Sequence, residues 1–175
     1  TFGPMVAAQR FLRELQDEGA FEATAKAEVQ LYGSMALTGK GHFTDLAAML
    51  GLEGNEPATL DSASIPAKQR RIETEKTLHL AGKTYLPFDP ATDIHWHGEH
   101  VYETHPNGIA FRALAADGAE LKRGLYFSIG GGFIVCEKES LNPKDAVGDV
   151  AKPFPYTTAD ALRALCAREG VPISE

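Results

Sequence analysis

The segment that most limits the fold lies in the second half of the chain. Residues 109–116 and 120–137 are apolar, strand-forming runs joined by the turn residues Ala116-Asp117-Gly118. Two such runs around a tight turn close on each other as an antiparallel hairpin. A second strand-rich stretch, 77–97, carries its own turn at Ala81-Gly82-Lys83, and residues 24–32 alternate as a further strand. The centre of the chain is therefore predicted to be a sheet, and a mostly antiparallel one.

The flanks read as helices. Gly3-Pro4 opens the first, because proline suits a first turn whose N–H groups have no helical partner. Ala8, Phe11, Leu12 and Leu15 recur at helical spacing and Gly19 closes the segment, which places a helix at 5–18. Shorter helices are expected over about 43–50, ended by Gly51 and Gly54, and near 67–72. A last helix begins near Thr157, presents Ala161, Leu162, Leu165 and Cys166 as an apolar face, and stops at Gly170 and Pro172. Residues 140–156, with three prolines, read as irregular. The fold class is α+β: one domain over 1–175, a mostly antiparallel sheet with helices packed on one face. The helices at 5–18 and 157–168 are both expected on that sheet.

A chain of 175 residues buries roughly 70% of its unfolded surface, enough for a core without covalent staples. The net charge of −7 argues against a nucleic-acid backbone or an anionic membrane as partner. No apolar run approaches the roughly 18 residues of a membrane span, and Thr1-Phe2-Gly3-Pro4-Met5 has no basic leader region. Without an initial Met, the chain reads as a piece of something longer. Its two cysteines, Cys136 and Cys166, make neither a disulfide framework nor a CxxC. Each reads as a small buried hydrophobe in a reducing, cytoplasmic compartment.

Three segments carry more glycine and polar groups than packing needs. In Gly33-Ser34-Met35-Ala36-Leu37-Thr38-Gly39-Lys40-Gly41-His42-Phe43-Thr44-Asp45, glycines let the backbone approach a ligand, and Lys40, His42, Thr44 and Asp45 crowd a helix start. Such a place favours a carboxylate, although a plain glycine loop with Thr44 or Asp45 as N-cap fits equally. His105-Pro106-Asn107-Gly108 is a turn sequence, in which His105 and Asn107 can project alike only if the segment is extended. Ser128-Ile129-Gly130-Gly131-Gly132-Phe133 is either a bulged hairpin or a backbone wall for a small ligand with Ser128 as a polar contact. A fourth cluster, His95-Trp96-His97-Gly98-Glu99-His100, offers a zinc-hydrolase reading through His95, His97 and His100, or a solvated strand end.

Taken in order, Gly3-Pro4-Met5, Tyr32 to Asp45, His105 to Gly108 and Ser128 to Phe133 resemble the β domain of the iron–sulfur L-serine dehydratases. The family pattern is S-S-S-H-T-x-G-P-M, L-Y-G-S-L-A-x-T-G-K-G-H-x-T-D, H-P-N-G and S-I-G-G-G-F. The resemblance runs from Thr1 to about Arg168. The serine-rich segment that precedes Thr1 in the family, and the α domain that carries the cluster cysteines, are not in this sequence.

The resemblance implies deamination of L-serine to pyruvate and ammonia with a [4Fe–4S] cluster held by the α domain, fused or separate, and no metal ligand in this chain. It implies His42 as general base, with Lys40, Thr44 and Asp45 orienting it or holding the substrate's charged groups. Substrate contacts from Ser34, Gly39, Ser128, Gly130 and Gly131 are implied, as is a regulatory serine site at His105 and Asn107. A homodimer is expected, as is a fold similar to the regulatory substrate-binding domain of some phosphoglycerate dehydrogenases. The competing reading is a serine-sensing and dimerisation module without catalytic residues.

Overall fold

A computed structural model of the chain describes residues 2–139 and 154–174. Helix α1 (Phe2–Asp17) is followed by strand β1 (Lys26–Tyr32), a short helix α2 (Ser34–Thr38), a 3-10 turn (Gly39–His42) and helix α3 (Thr44–Leu52). Helix α4 (Ile65–Glu75) leads into the hairpin β2 (Thr77–Leu80) and β3 (Thr84–Pro87). The one-turn helix α5 (Pro90–Asp93) precedes β4 (Ile94–His97), β5 (Gly108–Leu114), β6 (Glu120–Gly130) and β7 (Phe133–Cys136). Helix α6 (Ala159–Glu169) lies near the C-terminus.

The main sheet has the order β4-β1-β5-β6-β7, and β2-β3 forms a separate two-stranded sheet. The expected hairpin is β5–β6, antiparallel with Ile109 opposite Tyr126 and a bulge at Ala113/Leu114. The fold is α+β and mostly antiparallel. The exception is β4, which runs parallel to β1 with Val29 opposite Ile94. Residues 77–97 therefore do not form one continuous strand region. The expected three-residue turn Ala81-Gly82-Lys83 closes a small hairpin of its own, and α5 separates that hairpin from β4, which joins the main sheet.

One face of the sheet carries the larger of two buried clusters, and the smaller is formed by Tyr32, Ala110, Leu125, Phe127 and Val135. The stripe Met5, Ala8, Phe11, Leu12 and Leu15 of α1 is buried against Val29, Leu31, Ile109, Phe111 and Tyr126. The Phe11 and Phe111 rings stack with centroids 5.5 Å apart. Each large apolar side chain of the stripe contributes about 1.5–3 kcal/mol by leaving water. Helix α3 crosses α1 so closely that a Cβ at Gly51 would fall 2.6 Å from the Met5 carbonyl oxygen. Gly51 thus lies inside α3 as the crossing point and does not end it. The helix stops at Leu52, and Gly54 follows with φ of +82°.

Three other expectations need correction. The segment 33–42 is wound into α2 and the 3-10 turn and is not an open loop. Helix α6 is capped by Thr158, whose side chain accepts from the Ala161 N–H, so the cap is one residue later than expected. It also has no buried residue and does not pack on the sheet. Its half-buried Leu162, Leu165 and Cys166 instead line a hollow with Phe154, Tyr156, Val171 and Ile173. The stretch expected to be irregular lies, over 140–153, outside the described residues.

Candidate functional site

The glycine-rich segments that stand apart in the sequence meet at one end of the sheet, where β1 ends, β5 begins and β6 ends. At the end of β1 the chain turns at Gly33, with φ of +51° and ψ of −125°, a conformation that only glycine adopts readily. Its N–H donates to the His97 carbonyl at 3.1 Å, and the Ser34 N–H donates to the Pro106 carbonyl at 3.0 Å. A Cβ on Gly33 would fall 2.5 Å from that same Pro106 oxygen. The His105-Pro106-Asn107 segment therefore lies directly on the turn that follows β1.

Asn107 carries the contact on to β6. Its side-chain Nδ2 donates to the Ser128 carbonyl at 3.2 Å, and the Ser128 N–H donates to the Asn107 carbonyl at 3.0 Å. Ser128 in turn faces α1, where a Cβ on Gly3 would fall 2.5 Å from its Oγ. Gly3, Gly33-Ser34, Pro106-Asn107 and Ser128 thus form one continuous contact path.

From this path the chain runs through α2 into the 3-10 turn. Gly39 is buried; a Cβ there would fall 2.9 Å from Cζ3 of Trp96 and 3.2 Å from Cβ of Thr44. Lys40 is exposed, with its ammonium 5.2 Å from the Trp96 ring centroid. His42 is exposed at the end of the turn and lines a cleft of about 470 Å³ with Phe2, Met5, Phe43, Leu46 and Ile65. Phe43, in the left-handed conformation, is the residue before α3, and no side chain caps that helix. Thr44 is buried at the first helical position, and Asp45 Oδ1 accepts the Leu46 N–H at 2.9 Å. Neither is the N-cap that the spacing suggests, because the left-handed Phe43 already occupies that position.

Burial pushes the His105 imidazole below its ordinary value, and its Nδ1 accepts the Asn107 N–H at 3.1 Å. The hydrogen bond to Nδ1 fixes the neutral ring with its proton on Nε2. His97 is lowered as well, first by burial and then by the neighbouring His95 and His100. It stacks on Tyr32 with centroids 4.9 Å apart.

The serine dehydratase beta chain family matches residues 1–139. The chain belongs to this family. It is 38% identical over 175 residues to L-serine dehydratase 1 of Escherichia coli, covering 99% of this chain and 38% of that protein. The L-serine dehydratase of Streptomyces coelicolor is 36% identical over 174 residues, covering 99% and 38%. That of Mycobacterium tuberculosis is 38% identical over 175 residues, covering 100% and 37%. The chain thus spans about two fifths of the length of these relatives.

Within this serine dehydratase β chain, the structure joins His105 and Asn107 to Ser128. His105 and Asn107 are bonded to each other, and Asn107 is bonded to Ser128. Ser34 is on the same path through Pro106, and Gly39, Lys40, His42, Thr44 and Asp45 follow in the next turns. Gly130, Gly131 and Gly132 all have positive φ and turn β6 into β7, with a register shift between Ser128 and Gly130. The bulged-hairpin reading accounts for them, and Gly130 and Gly131 are exposed at the hairpin tip.

The residues present do not fit a cluster. Cys136 ends β7 and Cys166 lies on α6, two thiols on separate elements where a [4Fe–4S] centre takes several. His95, His97 and His100 do not form the zinc site weighed above. Among the described residues no group of three His, Cys, Asp or Glu side chains is placed to hold a metal ion. Nor is any described helix long and apolar enough to cross a membrane. The sequence reading missed Trp96, which underlies the Gly39–His42 turn. Its signal was available, as the sole tryptophan of the chain between two histidines.

Proposed function

We propose that the chain is the β domain of an L-serine dehydratase, acting on L-serine to give pyruvate and ammonia. It contributes a base and substrate contacts and not the metal centre. The observation that supports this reading is the convergence of four separate sequence segments at one end of the sheet, with His42 exposed beside an open cleft.

His42 takes the proton from the serine α-carbon, and the electron pair left behind expels the β-hydroxyl. The aminoacrylate so formed tautomerises to the imine, and water hydrolyses it to pyruvate and ammonia. The departing hydroxyl needs an acid that these residues do not provide; the family resemblance assigns that role to a [4Fe–4S] cluster held outside this chain by the α domain. Lys40, Thr44 and Asp45 lie within three residues of His42 along the chain. Lys40 is suited to the substrate carboxylate because it is charged and exposed. Buried Thr44 is suited to fixing the turn. The family resemblance assigns substrate contacts to Ser34, Gly39, Ser128, Gly130 and Gly131; of these Gly130 and Gly131 are exposed at the hairpin tip, and Gly39 is buried against Trp96 and Thr44.

A second role, serine sensing with homodimer formation, fits His105 and Asn107. Their hydrogen bonds couple the loop to Ser128, so a ligand held there would pull on the same end of the sheet. The implied likeness to the regulatory domain of phosphoglycerate dehydrogenases belongs with this role. The test is pyruvate formation from L-serine by the complete protein and by this chain alone, each after anaerobic treatment with iron and sulfide. Turnover and cluster absorbance are expected only for the complete protein. A complete protein inert toward L-serine, or a coloured and active isolated chain, would overturn the reading.

A further inference from the structure

The segment His95-Trp96-His97-Gly98 is left unexplained by a metal site, and the structure points to another use. We propose that Trp96 is the positioning residue of the Gly39–His42 turn, holding its first residues on the indole so that His42 is presented at a fixed place. The inference rests on the reading of His42 as base and adds a residue that never touches substrate.

Three observations carry it. The strand β4 that bears Trp96 is the parallel neighbour of β1, with Trp96 opposite Leu31, so it is anchored in the sheet just before the chain leaves at Gly33. The indole lies against Gly39 so closely that a single added carbon would fall 2.9 Å from Cζ3, with Thr44 closing the other side at 3.2 Å. The Lys40 ammonium stands over the ring at 5.2 Å from its centroid, within the range of cation–π attraction. Gly98, two residues along, is held in the same way, since a Cβ there would fall 2.8 Å from Cδ2 of Leu37 in α2. The end of β4 is therefore a platform on which α2 and the 3-10 turn rest. His42 stands three residues beyond Gly39, one turn of a 3-10 helix. His42 follows the seat by one turn, so a shift of the seat displaces it.

The test has two arms. Trp96 is the only tryptophan, so its fluorescence in the 175-residue chain reports the seat directly. Lys40→Met and Gly39→Ala are each expected to change its emission, and unchanged emission in both would overturn the proposal whatever His42 does. In the complete dehydratase, Trp96→Leu is expected to lower kcat roughly tenfold to a hundredfold, the cost of a displacement of about 1 Å at a catalytic group, with KM held within about twofold. Trp96→Phe, which keeps a flat ring, should recover most of that loss.

Full kcat in Trp96→Leu, or Trp96→Phe falling as far as Trp96→Leu, would overturn the proposal. If Trp96→Leu does not fold, Gly39→Ala decides by the same kcat and KM criterion. Normal turnover in His42→Ala together with the expected emission changes would instead remove the base reading and leave the seat standing.

Discussion

Replacing Gly33 by alanine probes the joint between the β1 turn and the His105-Asn107 loop. Two costs follow from the geometry. Alanine at φ of +51° and ψ of −125° is strained by about 1–3 kcal/mol. Its Cβ would also fall 2.5 Å from the Pro106 oxygen and 3.3 Å from Cγ2 of Val101. Relief requires the loop to move away, which loses the Ser34 N–H to Pro106 hydrogen bond, worth about 1 kcal/mol. The sum is about 2–4 kcal/mol. For a chain of this size each kcal/mol lowers the melting temperature by about 2–4 °C, so a fall of roughly 5–15 °C is expected. Circular dichroism melting of the chain reads it, with Gly118→Ala as control. Gly118 has φ of +86° but open space around it, so only the strain remains there. If Gly33→Ala melts no lower than Gly118→Ala, the close approach contributes nothing and the joint is wrongly described.

Two further outcomes are expected. The Arg10 guanidinium, bonded to both carboxylate oxygens of Glu139 at 2.7 and 2.8 Å, holds that carboxyl at about 2, below its ordinary 4.5. A depressed folded pKa stabilises above the unfolded value and is lost as pH falls from about 4.5 to about 2. Arg10→Met should therefore flatten the fall of the urea midpoint over that window, modestly because the pair is partly solvated; an unchanged slope would refute the pairing. In the complete dehydratase, His105→Ala is expected to raise the serine concentration needed for half-maximal rate, or to abolish any lag before full activity. Its saturated turnover should stay within about threefold, since the ring takes no proton from substrate. A loss confined to saturated turnover would remove the regulatory reading.

The parts legible in the sequence are those set by local chemistry. The hairpin at Ala116-Asp117-Gly118 was readable because Asp117 accepts the Ala119 N–H and Gly118 supplies positive φ. The α1 stripe was readable because Phe11, Leu12 and Leu15 recur with the helical period. The parallel place of β4 was not, because the four residues Ile94–His97 carry no pattern that distinguishes parallel from antiparallel pairing. The winding of 33–42 was hidden by its glycines, which disfavour helix; the Trp96 seat and the Pro106 contact impose it from outside the segment. The face of α6 is genuinely apolar, but periodicity says only that a face will be covered and not by what. The site was legible as four ordered segments, whereas the bonds joining Asn107 to Ser128 and Pro106 to Ser34 belong to tertiary structure.

The central claim, that His42 is the base presented by this domain, is tested most directly by steady-state pyruvate formation with His42→Ala in the complete, cluster-loaded enzyme. A fall in kcat of at least about a hundredfold is expected, the low end for a lost general base, with the fold and the cluster absorbance intact. Turnover near that of the parent enzyme would contradict the claim and make Lys40, on the same turn, the next residue to replace.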